Sequence, residues 1–294
     1  MLYPLYYFFI FVVGAVFGSF LNLVADRFPF GKPVLIGRSK CELCSKFLTP
    51  KELVPLLSYL LLKGKCLGCK TKLSPIYFFT EVFTGLGFMG IAYWTKMFDN
   101  FEAETLLNFL YLTIVYCFYV VLFLTDLKFR LVPNKIVYAG ILFVVLFQLC
   151  VSIYNLMVFR SDLLKDTFGV YLYKAGYFDN QVLYLLRDFG FNIVSALAIG
   201  GFFLFLIFIT KGRGMGGGDV TLGFFIGMVN GFPNNILAIF LGFLIGAVFS
   251  VVLVVLRKKT IKDTISFGPF LILGSVLAYI YGTAILDWYF TVFN

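Results

Sequence analysis

Histidine is absent from the 294 residues of the chain. That absence excludes Ser-His-Asp and Cys-His catalysis and any histidine metal ligand. Charge is scarce as well. Only 13% of residues are Asp, Glu, Lys or Arg, against 61% hydrophobic and 20% aromatic, and mean hydropathy is +0.96. Soluble domains do not have this composition; polytopic membrane proteins do. No internal repeat or low-complexity tract breaks the pattern. The net charge of +9 requires no nucleic-acid partner, because basic loops on the cytoplasmic side of a bilayer account for it.

The hydrophobic runs predict an all-α polytopic membrane protein with about eight transmembrane helices, at about 3–24, 76–95, 104–125, 132–154, 190–210, 218–231, 235–256 and 267–288. The sixth is short and glycine-bearing. The first lacks a basic stretch before it and a small-residue cleavage site after it, so it reads as a retained helix and not a signal peptide. Nineteen of the 24 Lys/Arg fall in the loops 25–75, 126–135, 211–217 and 257–263. The positive-inside rule puts those loops in the cytoplasm and both termini outside. Three parts follow: a first helix (1–24), a small cytoplasmic insert (25–75) and a multi-span membrane domain (76–294). An outside loop at 155–189 is either a connector or a partner surface.

The insert is too short for a self-sufficient core and needs a staple. It carries Cys41-x-x-Cys44 and Cys66-x-x-Cys69. Four thiolates from two such pairs suit a structural tetrahedral zinc, Zn2+. Two disulfides or a redox pair are the alternatives, and the reducing cytosol argues against disulfides. Cys117 and Cys150 stand alone inside spans and read as packing residues.

Two aspartates sit where a carboxylate is expensive. Asp126 closes the run YLTIVYCFYVVLFLTD, and Asp219 follows GMGGG and opens another apolar segment. Carboxylates at membrane segments mark functional sites by default. Two at the same membrane face suggest a pair sharing one proton, the chemistry of an aspartic protease. Gly216, Gly217 and Gly218 offer backbone without side-chain bulk, which an extended substrate strand can approach closely. A boundary Asp126 paired with Lys128 or Arg130, and a glycine stretch serving helix packing through Gly223 and Gly227, are the structural alternatives. A transporter with a two-Asp relay is the alternative from another class; the boundary position of both residues and the cysteine insert speak against it.

Together these residues resemble the bacterial prepilin peptidases, or type IV leader peptidases, which are G-x-G-D membrane aspartic proteases. The resemblance rests on GSFLNLVADRFP (18–29), the four-cysteine segment (39–81), LTDLKFRLVPN (124–134), GMGGGDV (214–220) and FGPFL (267–271). It implies that Asp126 and Asp219 are the catalytic pair and that prepilins or pseudopilins are the substrates. Each would carry a basic leader ending in Gly ahead of an apolar helix. Relatives with the cysteine domain also N-methylate the new N-terminus with S-adenosylmethionine. A peptidase without methylation is the nearest alternative. Glu81 and Gly85 match the region linked to methyl transfer; otherwise Glu81 is a helix-start carboxylate favoured by the dipole. Asn22, Asp26 and Arg27, in the N-terminal signature, serve substrate placement or interfacial anchoring. The chain departs from the commoner pattern in CELC, where Pro often follows the first Cys, in ADRFP, where His-Arg is common, and in the length of 155–189.

Overall fold

The computed structural model describes residues 3–34, 36–37, 39–40, 44–99, 102–212, 215–258 and 265–293. Among them the fold is all-α, and strand pairing is limited to two isolated antiparallel bridges. Ten helices follow in order: α1 (Tyr3–Arg27), α2 (Leu57–Leu61), α3 (Pro75–Trp94), α4 (Ala103–Phe129), α5 (Asn134–Leu163), α6 (Thr167–Lys174), α7 (Tyr177–Ile209), α8 (Gly217–Asn230), α9 (Asn234–Val255) and α10 (Gly268–Phe293). Seven of these, all but α2, α6 and α8, are long and apolar enough to cross a membrane. The chain is thus a multi-pass membrane protein by length and composition of its helices.

The sixth predicted segment is helical but has only 14 residues. At about 1.5 Å per residue it extends about 21 Å, short of a hydrocarbon core of about 30 Å. Glycine ends it: Gly231, at φ +64°, takes a conformation costly for any other residue, and its N–H closes on the carbonyl of Gly227.

Residues 155–189 are not an irregular loop. The helix of the fourth span continues to Leu163, α6 is capped by Asp166, whose Oδ1 accepts the Gly169 N–H at 2.6 Å, and α7 begins at Tyr177. The segment holds no proline, and once a span is fixed in the bilayer its helix propagates into polar sequence at little cost. The chain turns between α4 and α5 at Pro133-Asn134. Arg130, at φ +54°, caps α4, and α5 starts at Asn134.

The chain packs as two units, Met1–Pro133 and Asn134–Asn294. In the first, α1 lies against α3 along a glycine seam. A Cβ on Gly14 would stand 2.8 Å from the Gly85 Cα, and one on Gly18 would stand 2.9 Å from the Glu81 Cα. Small residues four apart let two membrane helices approach at backbone distance, where dispersion replaces the hydrophobic drive that lipid does not supply. In the second unit, α8 presents Gly223 and Gly227 to Phe203 and Ala196 of α7. The packing role foreseen for those two glycines is therefore realised.

Candidate functional site: a cysteine centre, a buried glutamate and two aspartates

The two isolated bridges flank the two cysteine pairs in sequence. Lys40 pairs with Phe47 around the first, and Lys65 pairs with Lys72 around the second. The residue after the second cysteine of each pair is left-handed, Ser45 at φ 54° and Lys70 at φ 56°. Cys41 lies outside the described residues. The sulfurs of Cys44, Cys66 and Cys69 lie within 4.8 Å of one another, with Cys44 and Cys66 at 3.9 Å. Thiolates on a tetrahedral zinc at about 2.3 Å stand about 3.8 Å apart. The three sulfurs therefore fit zinc, and their set is soft, as zinc prefers.

The polar surroundings favour thiolate. Gly68 donates its N–H to Cys66 Sγ at 3.4 Å, and the Thr71 hydroxyl lies 2.9 Å from Cys69 Sγ. The Thr71 hydroxyl and amide, aided by the Cys44 and Cys66 sulfurs, pull the Cys69 thiol down from its usual range to about 6. Nearby, Glu52 holds the Thr49 N–H and hydroxyl at 2.8 Å each and Lys46 at 3.3 Å, which pulls its carboxyl below the usual range. Of the remaining cysteines, Cys117 is half-buried, whereas Cys150 is exposed on its helix and is no packing residue of the interior. A thiol is apolar enough to face lipid.

Glu81 is not at a helix start. Ser74 caps α3, Pro75 opens it, and Glu81 sits in its second turn, buried on the seam with α1 beside Gly18. Its Oε2 accepts the Leu56 N–H at 2.7 Å, and the Ser19 side chain hydrogen-bonds the same carboxylate. Leu56 itself has φ 63° and ψ −54°, and the Leu57 N–H reaches back to the Pro55 carbonyl at 2.6 Å. This is a γ-turn of the rare positive-φ kind, strained for a residue with a Cβ. The buried carboxylate thus clasps a strained turn of the insert to α1 and α3. Gly85, one turn on, is a contact residue of the same seam: a Cβ there would stand 2.8 Å from Phe11.

Asp126 lies near the C-terminal end of α4 and is 5% exposed, between fully buried Thr125 and the Arg130 cap whose N–H its carbonyl accepts at 2.9 Å. Its neighbour Lys128 turns elsewhere. Lys128 Nζ meets Asp26 Oδ1 at 2.8 Å and lies over the Tyr77 ring, 4.5 Å from its centroid, and the Tyr77 hydroxyl donates to Asp26 Oδ2 at 2.9 Å. Asp26 therefore joins α1, α3 and α4 through Tyr77 and Lys128. Asn22 is buried one turn earlier on α1, its amide 3.4 Å from the Tyr77 carbonyl. Arg27 bonds the Pro33 carbonyl at 3.1 Å. The link through Lys128, Asp26 and Tyr77 was not foreseen, since its members lie up to 102 residues apart; the only signal in the sequence was the costly charge at each helix end.

Asp219 belongs to the second unit, as the third residue of α8. Its Oδ2 accepts the Gly216 N–H at 3.2 Å, the side-chain half of a capping box, and it lies at the helix end where a negative charge is favoured. Gly216 is extended, at φ −88° and ψ 157°, while Gly217 and Gly218 are already helical. The expected open glycine stretch is therefore shorter than 216–218, because the capping carboxylate draws the two later glycines into the first turn. Asp126 is described within its unit and Asp219 within the other.

The family model described as bacterial peptidase A24 N-terminal domain matches residues 12–95, and that of the type IV leader peptidase family matches residues 113–251. A prepilin leader peptidase/N-methyltransferase of Bacillus subtilis is 28% identical over 282 residues, covering 95% of this chain and 96% of its own. One from Aeromonas salmonicida is 26% identical over 314 residues, covering 97% and 94%. Another, from Myxococcus xanthus, reaches 42% identity over 85 residues, which is 29% of this chain and 25% of its own. No solved structure matches the chain. The first family match contains the cysteine knuckles and Glu81, the second contains both aspartates, and the chain is an enzyme of the type IV leader peptidase family.

Proposed function

We propose that the chain is a membrane aspartic endopeptidase that removes the leader of prepilins and pseudopilins and then N-methylates the new N-terminus. The observation that carries the protease half is the nearly complete burial of Asp126 at the end of an apolar helix. A carboxylate is kept there at a cost that packing alone does not justify. Asp219, at the N-terminal turn of an apolar helix within the second family match, is the partner.

Like charges on one water cannot both ionise easily, so the pair shares one proton. The ionised carboxylate takes a proton from the water as its oxygen attacks the peptide carbonyl carbon. The protonated carboxyl gives its proton to the carbonyl oxygen. Collapse of the tetrahedral intermediate breaks the C–N bond, and the amine leaves with a proton from the dyad. Acid and base are roles of the pair as a unit, because one proton is shared. Gly216 supplies extended backbone next to Asp219 for the substrate strand, with Gly217 and Gly218 keeping the approach free of side chains.

Cys41, Cys44, Cys66 and Cys69 hold a structural zinc that folds the insert. S-adenosylmethionine would supply the methyl group to the amine. Glu81, the buried carboxylate nearest in kind to a sulfonium or ammonium partner, already has one oxygen taken by Leu56. With that oxygen taken, Glu81 by itself does not make a site that fits the cofactor. Glu81 and Gly85 serve methylation by setting the seam on which the insert rests. In the bacterial inner membrane, with α8 counted as the sixth of eight crossings, both termini lie outside and the aspartates face the cytoplasm; that parity rests on a 14-residue helix.

The test is mass spectrometry of a prepilin N-terminus after incubation with the purified protein in lipid and S-adenosylmethionine. A shortened, methylated chain is expected, with Asp126→Ala and Asp219→Ala both inactive yet membrane-inserted. Full cleavage by either variant would sink the dyad, and cleavage without methylation would remove the second activity.

A further inference from the structure

The insert contains a run, Leu53 to Leu62, that reads LVPLLSYLLL. Ten residues are too few to span a bilayer, and a run of this length is ordinarily a buried core helix or an interfacial segment. Burial is not what the fold provides. Leu57 and Leu60 are each 58% exposed and Leu61 is 80% exposed, with Leu53 and Val54 exposed beside them. A continuous apolar ridge of this kind on a polar, lysine-rich insert marks an interaction surface.

The opposite side of the run shows where the ridge is held. Tyr59 stacks on Phe78 with ring centroids 5.2 Å apart, and the Leu56 N–H is bound by Glu81. Phe78 and Glu81 belong to the first two turns of α3, a 20-residue helix. Its length of about 30 Å equals the hydrocarbon thickness, so its first turns lie at the membrane boundary. The ridge is clasped to a spanning helix at that depth, by contacts wholly within the first unit. Lys51 precedes it and Lys63 and Lys65 follow it, all three exposed. Leucines facing outward between flanking lysines match an interface in which acyl chains meet anionic headgroups.

We propose that the ridge of Leu53, Val54, Leu57, Leu60 and Leu61 is a membrane-interface anchor, inserted among the lipids of an anionic bilayer beside α3. It fixes the cysteine knuckles at the membrane surface, and Lys51, Lys63 and Lys65 bind the phosphate headgroups around it. Glu81 sets its depth. This inference rests on the spanning of α3 and not on the peptidase chemistry.

The chain holds two tryptophans, Trp94 and Trp288. In a Trp94→Phe/Trp288→Phe background, Leu61→Trp and Leu57→Trp each report the ridge, and Leu67→Trp, between the cysteines of the second knuckle, reports the insert away from it. Full-length proteins are placed in nanodiscs of phosphatidylglycerol and phosphatidylcholine with bromines at shallow acyl positions. The two ridge tryptophans are expected to emit at shorter wavelength and to be quenched at least about twofold more than Leu67→Trp. Equal quenching at all three sites, or none at the ridge, overturns the anchor. Loss of ridge quenching on adding a peptide with a basic leader and an apolar helix would overturn it too, and would assign the surface to substrate instead. Bound zinc measured in each variant shows that the insert has folded.

Discussion

Replacing Glu81 tests how the insert is attached. Glu81→Ala removes the acceptor of the Leu56 N–H, a 2.7 Å bond to a buried carboxylate. A hydrogen bond to a charged group contributes about 1.5–3 kcal/mol net, and each 1.4 kcal/mol or so is tenfold in an equilibrium, so local opening of this turn should rise about 10- to 150-fold. The γ-turn at Leu56 adds to the effect, because its positive φ persists only while the surroundings enforce it. Glu81→Gln keeps a carbonyl oxygen in the same place and should lose about 1 kcal/mol or less, or about fivefold. The assay is amide hydrogen exchange by mass spectrometry on peptides covering 53–62, with the α3 peptides as internal reference. Fast exchange in the Ala variant, recovered most of the way by Gln, is the expected result. Unchanged exchange in Glu81→Ala refutes the clasp, and Gln behaving as badly as Ala would mean that the charge and not the hydrogen bond holds the turn. Methylation should fall more than cleavage in the Ala variant; equal loss argues against a role for this seam in methyl transfer.

Cys66→Ser, and each of the other three cysteine variants, should lower bound zinc below one per chain by atomic absorption and expose 25–75 to protease; full zinc in all four refutes the site. Lys128→Met should cost about 1–2 kcal/mol in thermal unfolding in detergent, since the half-buried Asp26 keeps only the Tyr77 hydroxyl. The swap Asp26→Lys/Lys128→Asp should recover part of that loss, and no recovery would mean that packing of the lysine stem over Tyr77, not the ion pair, is what Lys128 contributes.

Much of this protein was legible along the chain. Long apolar runs have one stable backbone solution in lipid, the helix, so an all-α fold and seven of the eight expected spans were legible from hydropathy. The cysteine pairs and the two costly aspartates were visible because their residue types are rare in such surroundings. What the sequence did not disclose depends on pairing at a distance. Glu81 read either as a methyl-transfer residue or as a helix-start carboxylate, and neither reading contains its bond to Leu56, 25 residues away. The glycine before Asp219 looked like open loop, yet the aspartate's own hydrogen bond to Gly216 starts the helix two residues sooner. LVPLLSYLLL had an apolar content but no period that fixed its environment. Only the packing of Tyr59 on Phe78 decided which of its faces is covered. Hydropathy is a sum over neighbours in sequence and survives without a structure; hydrogen-bond partners and helix seams are set by which backbones can approach, and those are chosen by the tertiary fold.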